Sequence, residues 1–416
     1  MGNIKFKTSW PGPRAHCAPL IGRAVNRATP DVHERAIARK DSCRRRRAFP
    51  WMAATIAATT LLFLSFATLA DDGPQKNLPY GALNRALTET VTVPAYRALV
   101  PAMETLAAAA QEFCLDPPTG NHARLVDSFN IAMTAWQRAQ AIGFGPVTKD
   151  NRSARIEFWP DTGASTDRQI RRVLTERDPA MVAAGGLAGK SVALQNLSTF
   201  ERLLAENVAR LAGAGNAATD EDKYACAWMS EIAHFQARLA HAVLDEWTGS
   251  YATLVSEADK GNVAYADARA ATTDYLKSLS GMIDVVIRQK LERPMDVSVA
   301  KARPSRAESW RTKRSMDNIV ANLETARAFM TTPGGFADLL KEAGSEALGA
   351  GMIAQFDAVI ASAKVIGKLE DVLGDSAMRP KLDDLLRHLR SLRVLIQGPL
   401  STETELTVGF NSLDGD

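Results

Sequence analysis

The chain has 416 residues, enough for two or three domains, and a formal net charge of +3 at pH 7. This positive charge comes from the first 50 residues, which hold 12 Lys or Arg and three Asp or Glu. The rest of the chain holds 38 basic and 44 acidic residues, so its charge argues against a nucleic-acid partner.

Residues 1–70 have the features of an export leader. Arg44–Arg47 precede the uncharged run Met52–Ala70, which ends in small residues. A signal peptide has this arrangement, so we predict cleavage near Ala70 and a location in the periplasm or cell envelope. The alternative is an N-terminal membrane anchor, because a run of 19 uncharged residues nearly covers a bilayer core of about 30 Å. The leader is unusually long, which predicts a true start downstream of Met1.

Two cysteines, Cys114 and Cys226, remain after the leader. In an oxidising compartment they could form a disulfide, and a loop of this length would stabilise the fold by roughly 4 kcal/mol. The alternative is two unpaired thiols buried as small hydrophobic side chains.

The chain after the leader predicts helices throughout. Pro94 opens the first, which ends at Cys114, and apolar steps of three and four predict the others. These cover residues 122–142, 166–178, 189–211, 220–247, 265–292, 347–368 and 377–396. Ser305 and Glu308 form a capping-box pattern that predicts the start of one more helix, ended by Gly334 and Gly335. The small, uncharged residues 212–219 predict a boundary between an N-terminal bundle, 71–213, and a C-terminal bundle, 214–416.

The stretch Gly189–Leu211 places a carboxylate beside an apolar face. Glu201 lies about 60° from the centre of the apolar stripe and Ser198 about 120°, so we expect only Glu201 at the edge of the buried face. Three interpretations stay open for this pair. They are a capping box that starts a helix, a structural carboxylate at a domain interface, and a ligand-binding or catalytic group.

The sequence KSVALQNLSTFERLL in this stretch resembles a segment of the imelysin family whose full form carries G-x-H-x-x-E within a helix. Here Asn196 and Ser198 replace the glycine and the histidine, and Glu201 remains. In the full form, His and Glu one turn apart could bind a metal or act as an acid/base pair. Serine cannot replace imidazole as a divalent-metal ligand, so Glu201 is a weak metal candidate.

Three further segments are similar to the same family: R-I-x-F-W-P-D at 155–161, E-S-W-R at 308–311 and V-G-F-N-S-L-D-G-D at 408–416. The resemblance implies an all-α fold of two related antiparallel helical bundles that follows the signal peptide. It also implies a cleft where the bundles meet, whose candidate residues are Ser198, Glu201, Arg155, Trp159, Trp310 and Arg311.

For function, the resemblance implies a non-enzymatic binding or accessory protein of the cell envelope, linked to the uptake of iron or another divalent cation. Its partners would be envelope metal-uptake proteins. One alternative is an imelysin-type metallopeptidase, which is disfavoured because the chain has no H-E-x-x-H and has lost the histidine of the family pair. The other is a scaffold that docks a membrane partner through the basic helix containing Arg387, Arg390 and Arg393.

Overall fold

The computed structural model describes residues 76–117, 121–161, 165–212 and 219–408. The predicted leader with its cleavage site, and the last residues of the C-terminal signature, lie outside these ranges. Within them the chain folds as helices and contains no β-strand, as the apolar spacing predicts.

The first half of the described chain supplies eight α-helices. Those that build the core are long and amphipathic, and the shorter ones shape the loops between them. The helices are α1 (Tyr80–Leu87), α2 (Val93–Leu115), α3 (His122–Gln140), α4 (Arg152–Ile156), α5 (Ser165–Glu176), α6 (Pro179–Val182), α7 (Leu197–Leu203) and α8 (Ala209–Leu211).

The second half adds longer helices, several of which continue into π-helical turns. The α-helices are α9 (Asp220–Glu246), α10 (Ala252–Ser256), α11 (Ala268–Asp284), α12 (Arg293–Met295), α13 (Ser315–Thr331), α14 (Phe336–Glu342), α15 (Glu346–Ile366), α16 (Leu369–Val372), α17 (Arg379–Leu395) and α18 (Ser401–Glu403). The π-helical turns of the chain are Thr88–Thr92, Leu204–Val208, Trp247–Tyr251, Val285–Glu292 and Ile396–Leu400.

Two sets of helices pack around a continuous core. In one set α2 packs against α3 and α9, and α7 also packs against α9; in the other α13 and α17 pack against α15. Helix α3 contacts α13 and so connects the two sets. The packing of α2 against α9 crosses residue 213, and the division into bundles at 71–213 and 214–416 stays a prediction.

A disulfide connects the helices that pack across residue 213. The structure joins Cys114 in α2 to Cys226 in α9, and their Cα atoms are 5.5 Å apart. This separation lies within the range that a disulfide spans.

The first helix begins earlier than Pro94. Helix α1 starts at Tyr80 and continues through the π turn Thr88–Thr92 into α2, so Pro94 lies inside one helical run. Proline lacks an N–H group, and the wider π turn before it is a place where a helix tolerates the missing hydrogen bond.

The capping box predicted at Ser305 and Glu308 is wrong. Helix α13 starts at Ser315, and the backbone N–H of Ser315 donates to Glu370 Oε1 of α16 at 3.1 Å. Glu308 is instead buried. A carboxylate from another helix caps α13, and a local pattern cannot reveal such a cap. The predicted inward residues of this helix are all buried: Met316, Ile319, Leu323, Ala326 and Met330.

Helix α15 is long and apolar enough to cross a membrane, judged by length and composition alone. It packs against α13, α14 and α17, and its Met352, Phe356 and Val359 are buried in the core. In this structure α15 is therefore a core helix.

Candidate functional site

A cavity of about 430 Å³ is formed by three stretches of chain that are distant in sequence, within residues 158–170, 196–202 and 293–311. Its volume lies in the range of small-molecule sites. Five of the six predicted cleft residues line it: Trp159, Ser198, Glu201, Trp310 and Arg311.

Helix α7 places Glu201 in the cavity wall. The Oδ1 atom of Asn196 accepts a hydrogen bond from the backbone N–H of Thr199 at 3.0 Å, which makes Asn196 the N-cap. Leu197 and Phe200 are fully buried, and the Phe200 ring stacks on Phe129 of α3 with centroids 5.4 Å apart. The apolar face of α7 therefore fixes the orientation of Glu201.

The helix predicted over residues 189–211 begins only at Leu197. The side chain of Gln195 donates to Lys190 O at 2.6 Å, and that of Asn196 donates to Val192 O at 2.7 Å. Such local bonds compete with helix formation and favour a turn. Because Asn196 is the cap, the capping-box interpretation of Ser198 and Glu201 is wrong; Ser198 is half-buried and faces the cavity.

Glu201 is more deeply buried than the sequence suggested, with 3% of its surface exposed. Its Oε1 atom accepts two hydrogen bonds from Thr312, from the backbone N–H at 2.9 Å and from Oγ1 at 2.8 Å. Burial raises the pKa of Glu201 to about 7, although the Thr312 donors and the Arg311 charge favour the ionised form. A carboxyl group with this pKa changes protonation state near neutral pH.

Trp310 and Arg311, from the E-S-W-R segment, form another part of the wall. The Arg311 guanidinium lies over the Trp310 ring, 4.6 Å from its centroid, and Arg311 Nε donates to Glu206 at 2.8 Å. This cation–π contact and ion pair hold the arginine across the cavity edge.

Trp159 forms a wall together with an arginine that sequence reasoning missed. The Arg293 guanidinium lies 5.9 Å from the centroid of the Trp159 ring, and Arg293 Nη2 donates to Asp161 O at 3.2 Å. Trp159 also lines a second cavity of about 550 Å³. No sequence pattern marks Arg293, because it follows a π-helical turn without a motif of its own.

Arg155 does not line the cavity. Its Nε atom donates to Asp150 O at 2.9 Å and its Nη1 atom donates to Gln195 Oε1 at 3.0 Å. The backbone O of Arg155 accepts from Gln236 Nε2 of α9 at 2.8 Å. Arg155 thus fastens the loop before the F-W-P-D segment to the turn that precedes α7.

Beside the cavity lies a buried ion pair. Lys290 Nζ donates to Glu308 Oε2 at 2.8 Å, and only 1% of each side chain is exposed. The same ammonium group donates to Gln137 Oε1 of α3 at 2.6 Å and to Asn322 Oδ1 of α13 at 2.7 Å. A buried charge requires such partners. The sequence offered one indication that Lys290 is buried: it lies four residues after the apolar Val286 and so on the same face of a helix.

A further buried glutamate, Glu157, occupies the unspecified position of R-I-x-F-W-P-D. Its Oε2 atom accepts from Trp136 Nε1 at 2.7 Å and from Gln137 Nε2 at 3.0 Å. Burial, together with the nearby Glu308, raises the pKa of Glu157 well above its usual range. Glu308 is thus a buried carboxyl group that raises the pKa of both Glu157 and Glu201.

Comparison with known proteins decides the family. The family model described as Imelysin matches residues 92–396, which is most of the chain. The chain belongs to the imelysin family. The crystal structure of an imelysin-like protein from Psychrobacter arcticum matches with a TM-score of 0.66 at 19% identity, covering 80% of this chain and 97% of that one.

A second crystal structure, of a putative iron-regulated protein A precursor from Parabacteroides distasonis, matches with a TM-score of 0.65 at 14% identity. The match covers 78% of this chain and 95% of that one. At these identities the two structures establish a shared all-α fold. No protein with a curated description matches this chain.

Within the part of the chain that the structure describes, the side chains around the cavity do not form the ligand set of a metal ion. The described residues contain no group of three or more His, Cys, Asp or Glu that could hold an ion. Ser198 stands where the family pattern has histidine, and two donors from Thr312 occupy Glu201 Oε1. A catalytic zinc site requires about three protein ligands.

Proposed function

We propose that this protein is an exported, non-enzymatic binding protein of the cell envelope, and that its cleft beside Glu201 holds a small ligand in a process linked to iron. The observation that carries the proposal is the cavity of about 430 Å³ with a buried carboxyl group in its wall. Concave sites with aromatic walls and a few placed polar groups are typical of ligand binding.

Two features support the link to iron and to export. One structural neighbour is a putative iron-regulated protein A precursor, and a precursor is a form that is processed. The basic, then uncharged, residues before Asp71 have the composition of a signal peptide. A binding role is favoured over a metallopeptidase. Hydrolysis with zinc requires several protein ligands around one ion, and the described residues contain no such group of His, Cys, Asp or Glu.

The proposal is tested by native mass spectrometry of the protein purified from its own cells. We expect a small molecule bound to the wild type and absent from Ser198→Trp, because an indole at that half-buried wall position would project into the cavity and obstruct it. Ser250→Trp, at an exposed position away from the cavity, should retain the ligand. Equal ligand occupancy in both variants would contradict the cleft as the binding site.

Separate measurements address the other parts of the proposal. N-terminal sequencing of the native protein should start near Asp71, and a retained leader would contradict cleavage. The abundance of the protein should rise several-fold in iron-starved cells. Chelator-sensitive cleavage of an unfolded protein substrate, abolished by Glu201→Gln, would contradict the non-enzymatic role.

A further inference from the structure

We infer that the cleft binds a small molecule through an oxyanion, a carboxylate or a phosphate, which is received by the guanidinium groups of Arg293 and Arg311. The inference rests on the proposed function, because it concerns the same cavity and gives the chemical class of its ligand. Three observations carry it: an unpartnered buried donor, an excess of arginine in the wall, and the two tryptophan rings.

The unpartnered donor belongs to Arg293. Its Nη2 atom donates to the backbone O of Asp161 at 3.2 Å, whereas its Nη1 atom is buried and has no hydrogen-bond partner among the described residues. A guanidinium group carries five N–H donors in a fixed fork, and a buried donor without an acceptor costs about 1–3 kcal/mol or more when charged. Because Nη1 is closed off from solvent in this structure, an oxyanion in the cavity would become its acceptor after a rotation of the guanidinium group.

Positive charge outweighs negative charge in the wall. Four arginines line the cavity, and the acidic residues that line it are Asp161, Asp167 and Glu201. The pair of Arg202 with Asp167 removes one charge of each sign, and Arg311 is paired with Glu206 from outside the cavity. Glu201 is partly neutral near pH 7 because burial raises its pKa.

The arginines also repel one another. Arg293 and Arg306 line the same cavity, and burial together with the Arg306 charge lowers the pKa of Arg293, while Asp161 opposes this shift. Arg306 Nη1 pairs with Asp296 at 3.1 Å. An anion between like charges relieves this repulsion, and arginine forks match the geometry of carboxylate and phosphate.

The rings of Trp159 and Trp310 supply the apolar part of the site. Arg293 lies over the first ring and Arg311 over the second, so each wall combines a flat apolar surface with a guanidinium group. A ligand whose oxyanion reaches the arginines can place its carbon skeleton against the indoles.

Isothermal titration of the full chain at pH 7 and low salt tests the inference with four probes: benzoate, citrate, inorganic phosphate and sulfate. We expect saturable binding of at least one. Stronger binding of benzoate or citrate would identify a carboxylate ligand, and stronger binding of phosphate or sulfate would identify a phosphate-like one. Raising the salt concentration should weaken the binding, because exposed charges are screened.

Substitutions of the cavity arginines test whether the anions bind in the cavity. Arg293→Gln should weaken the affinity at least tenfold, and Arg293→Lys should weaken it less, because lysine keeps the charge and loses the fork. Arg311→Gln is a second variant should Arg293→Gln fail to fold. Arg387→Gln is the matched control, since Arg387 is an exposed arginine of α17 paired with Asp384, and it should bind as the wild type does.

Two titration results would overturn the inference: no saturable signal from any of the four anions at millimolar concentration, or equal affinities for the wild type and Arg293→Gln. A neutral or cationic molecule that co-purifies with the native protein and is lost in Ser198→Trp would also overturn it, while the proposed function would stand. Anion binding that depends on Arg293, found together with chelator-sensitive proteolysis, would support the inference and contradict the non-enzymatic role.

Discussion

Glu201 shows how the environment of a single residue sets its chemistry. Its carboxyl group is buried in the wall of the cavity and has donors from Thr312 on one oxygen. Burial favours the neutral form more strongly than these donors and Arg311 favour the charged form, which raises the pKa from 4.5 to about 7.

This pKa predicts a pH-dependent stability. Because the pKa of Glu201 is higher in the folded than in the unfolded protein, the folded protein binds more protons between about pH 4.5 and 7. The contribution is fully present below pH 4.5 and is lost as the pH rises through 7. A shift of this size corresponds to roughly 3 kcal/mol. Urea denaturation at pH 5 and pH 8 should show the wild type to be less stable at pH 8.

The variant Glu201→Gln should reduce this difference between pH 5 and pH 8, because glutamine does not titrate and keeps an acceptor oxygen for Thr312. Part of the difference should persist, since the pKa of the buried Glu157 is also raised. Glu176→Gln, at an exposed position of α5, should leave the difference unchanged. An unchanged difference in Glu201→Gln would contradict the assignment.

At the scale of an element, α7 depends on a cap that its own sequence supplies. Asn196 accepts from the backbone N–H of Thr199, and Thr199 Oγ1 donates to Ala193 O at 2.6 Å. The hydrogen bonds of this turn decide where the helix begins, and therefore which side chains face the cavity.

We expect Asn196→Ala to lower the free energy of unfolding by about 1 kcal/mol, because the first-turn N–H group loses its acceptor. Asn196→Gly should cost only a few tenths of a kcal/mol, since glycine is tolerated as a cap. Thermal and urea denaturation of the two variants measure both effects.

The variant Ser198→Ala distinguishes a helix capped by Asn196 from a helix capped by Ser198. The serine is half-buried in the cavity wall and caps nothing, so its replacement should change the free energy of unfolding by less than about 0.5 kcal/mol. A loss near 1 kcal/mol in Ser198→Ala, with none in Asn196→Ala, would mean that the helix begins at Ser198.

At the scale of the whole molecule, the disulfide between α2 and α9 closes a long segment of chain. Cys114 and Cys226 are 112 residues apart, and the cross-link restricts the unfolded chain most when the closed loop is long. Replacing both cysteines with alanine should lower the free energy of unfolding by about 2–5 kcal/mol, measured by urea denaturation without reductant.

The wild type treated with reductant is the control and should unfold with the same lowered free energy as the double variant. Alkylation of the denatured, unreduced protein followed by mass spectrometry identifies the thiols directly. Free thiols at both Cys114 and Cys226 would contradict the bridge.

The sequence by itself determined the helical class and most of the core, because apolar steps of three and four report which face of a helix is buried. It also determined the family, through segments that are continuous in the chain. Those segments contain the six predicted cleft residues, of which Arg155 alone does not line the cavity.

Only the tertiary structure decided the environment of these groups. Lys290 donates a hydrogen bond to Gln137, 153 residues away in the sequence, and the backbone N–H of Ser315 donates to Glu370. No local sequence pattern contains either pair. The unpartnered Nη1 atom of Arg293 is likewise a property of the folded cavity. Periodicity shows which face of a helix is buried, whereas hydrogen-bond partners, burial and pKa depend on which helices pack together.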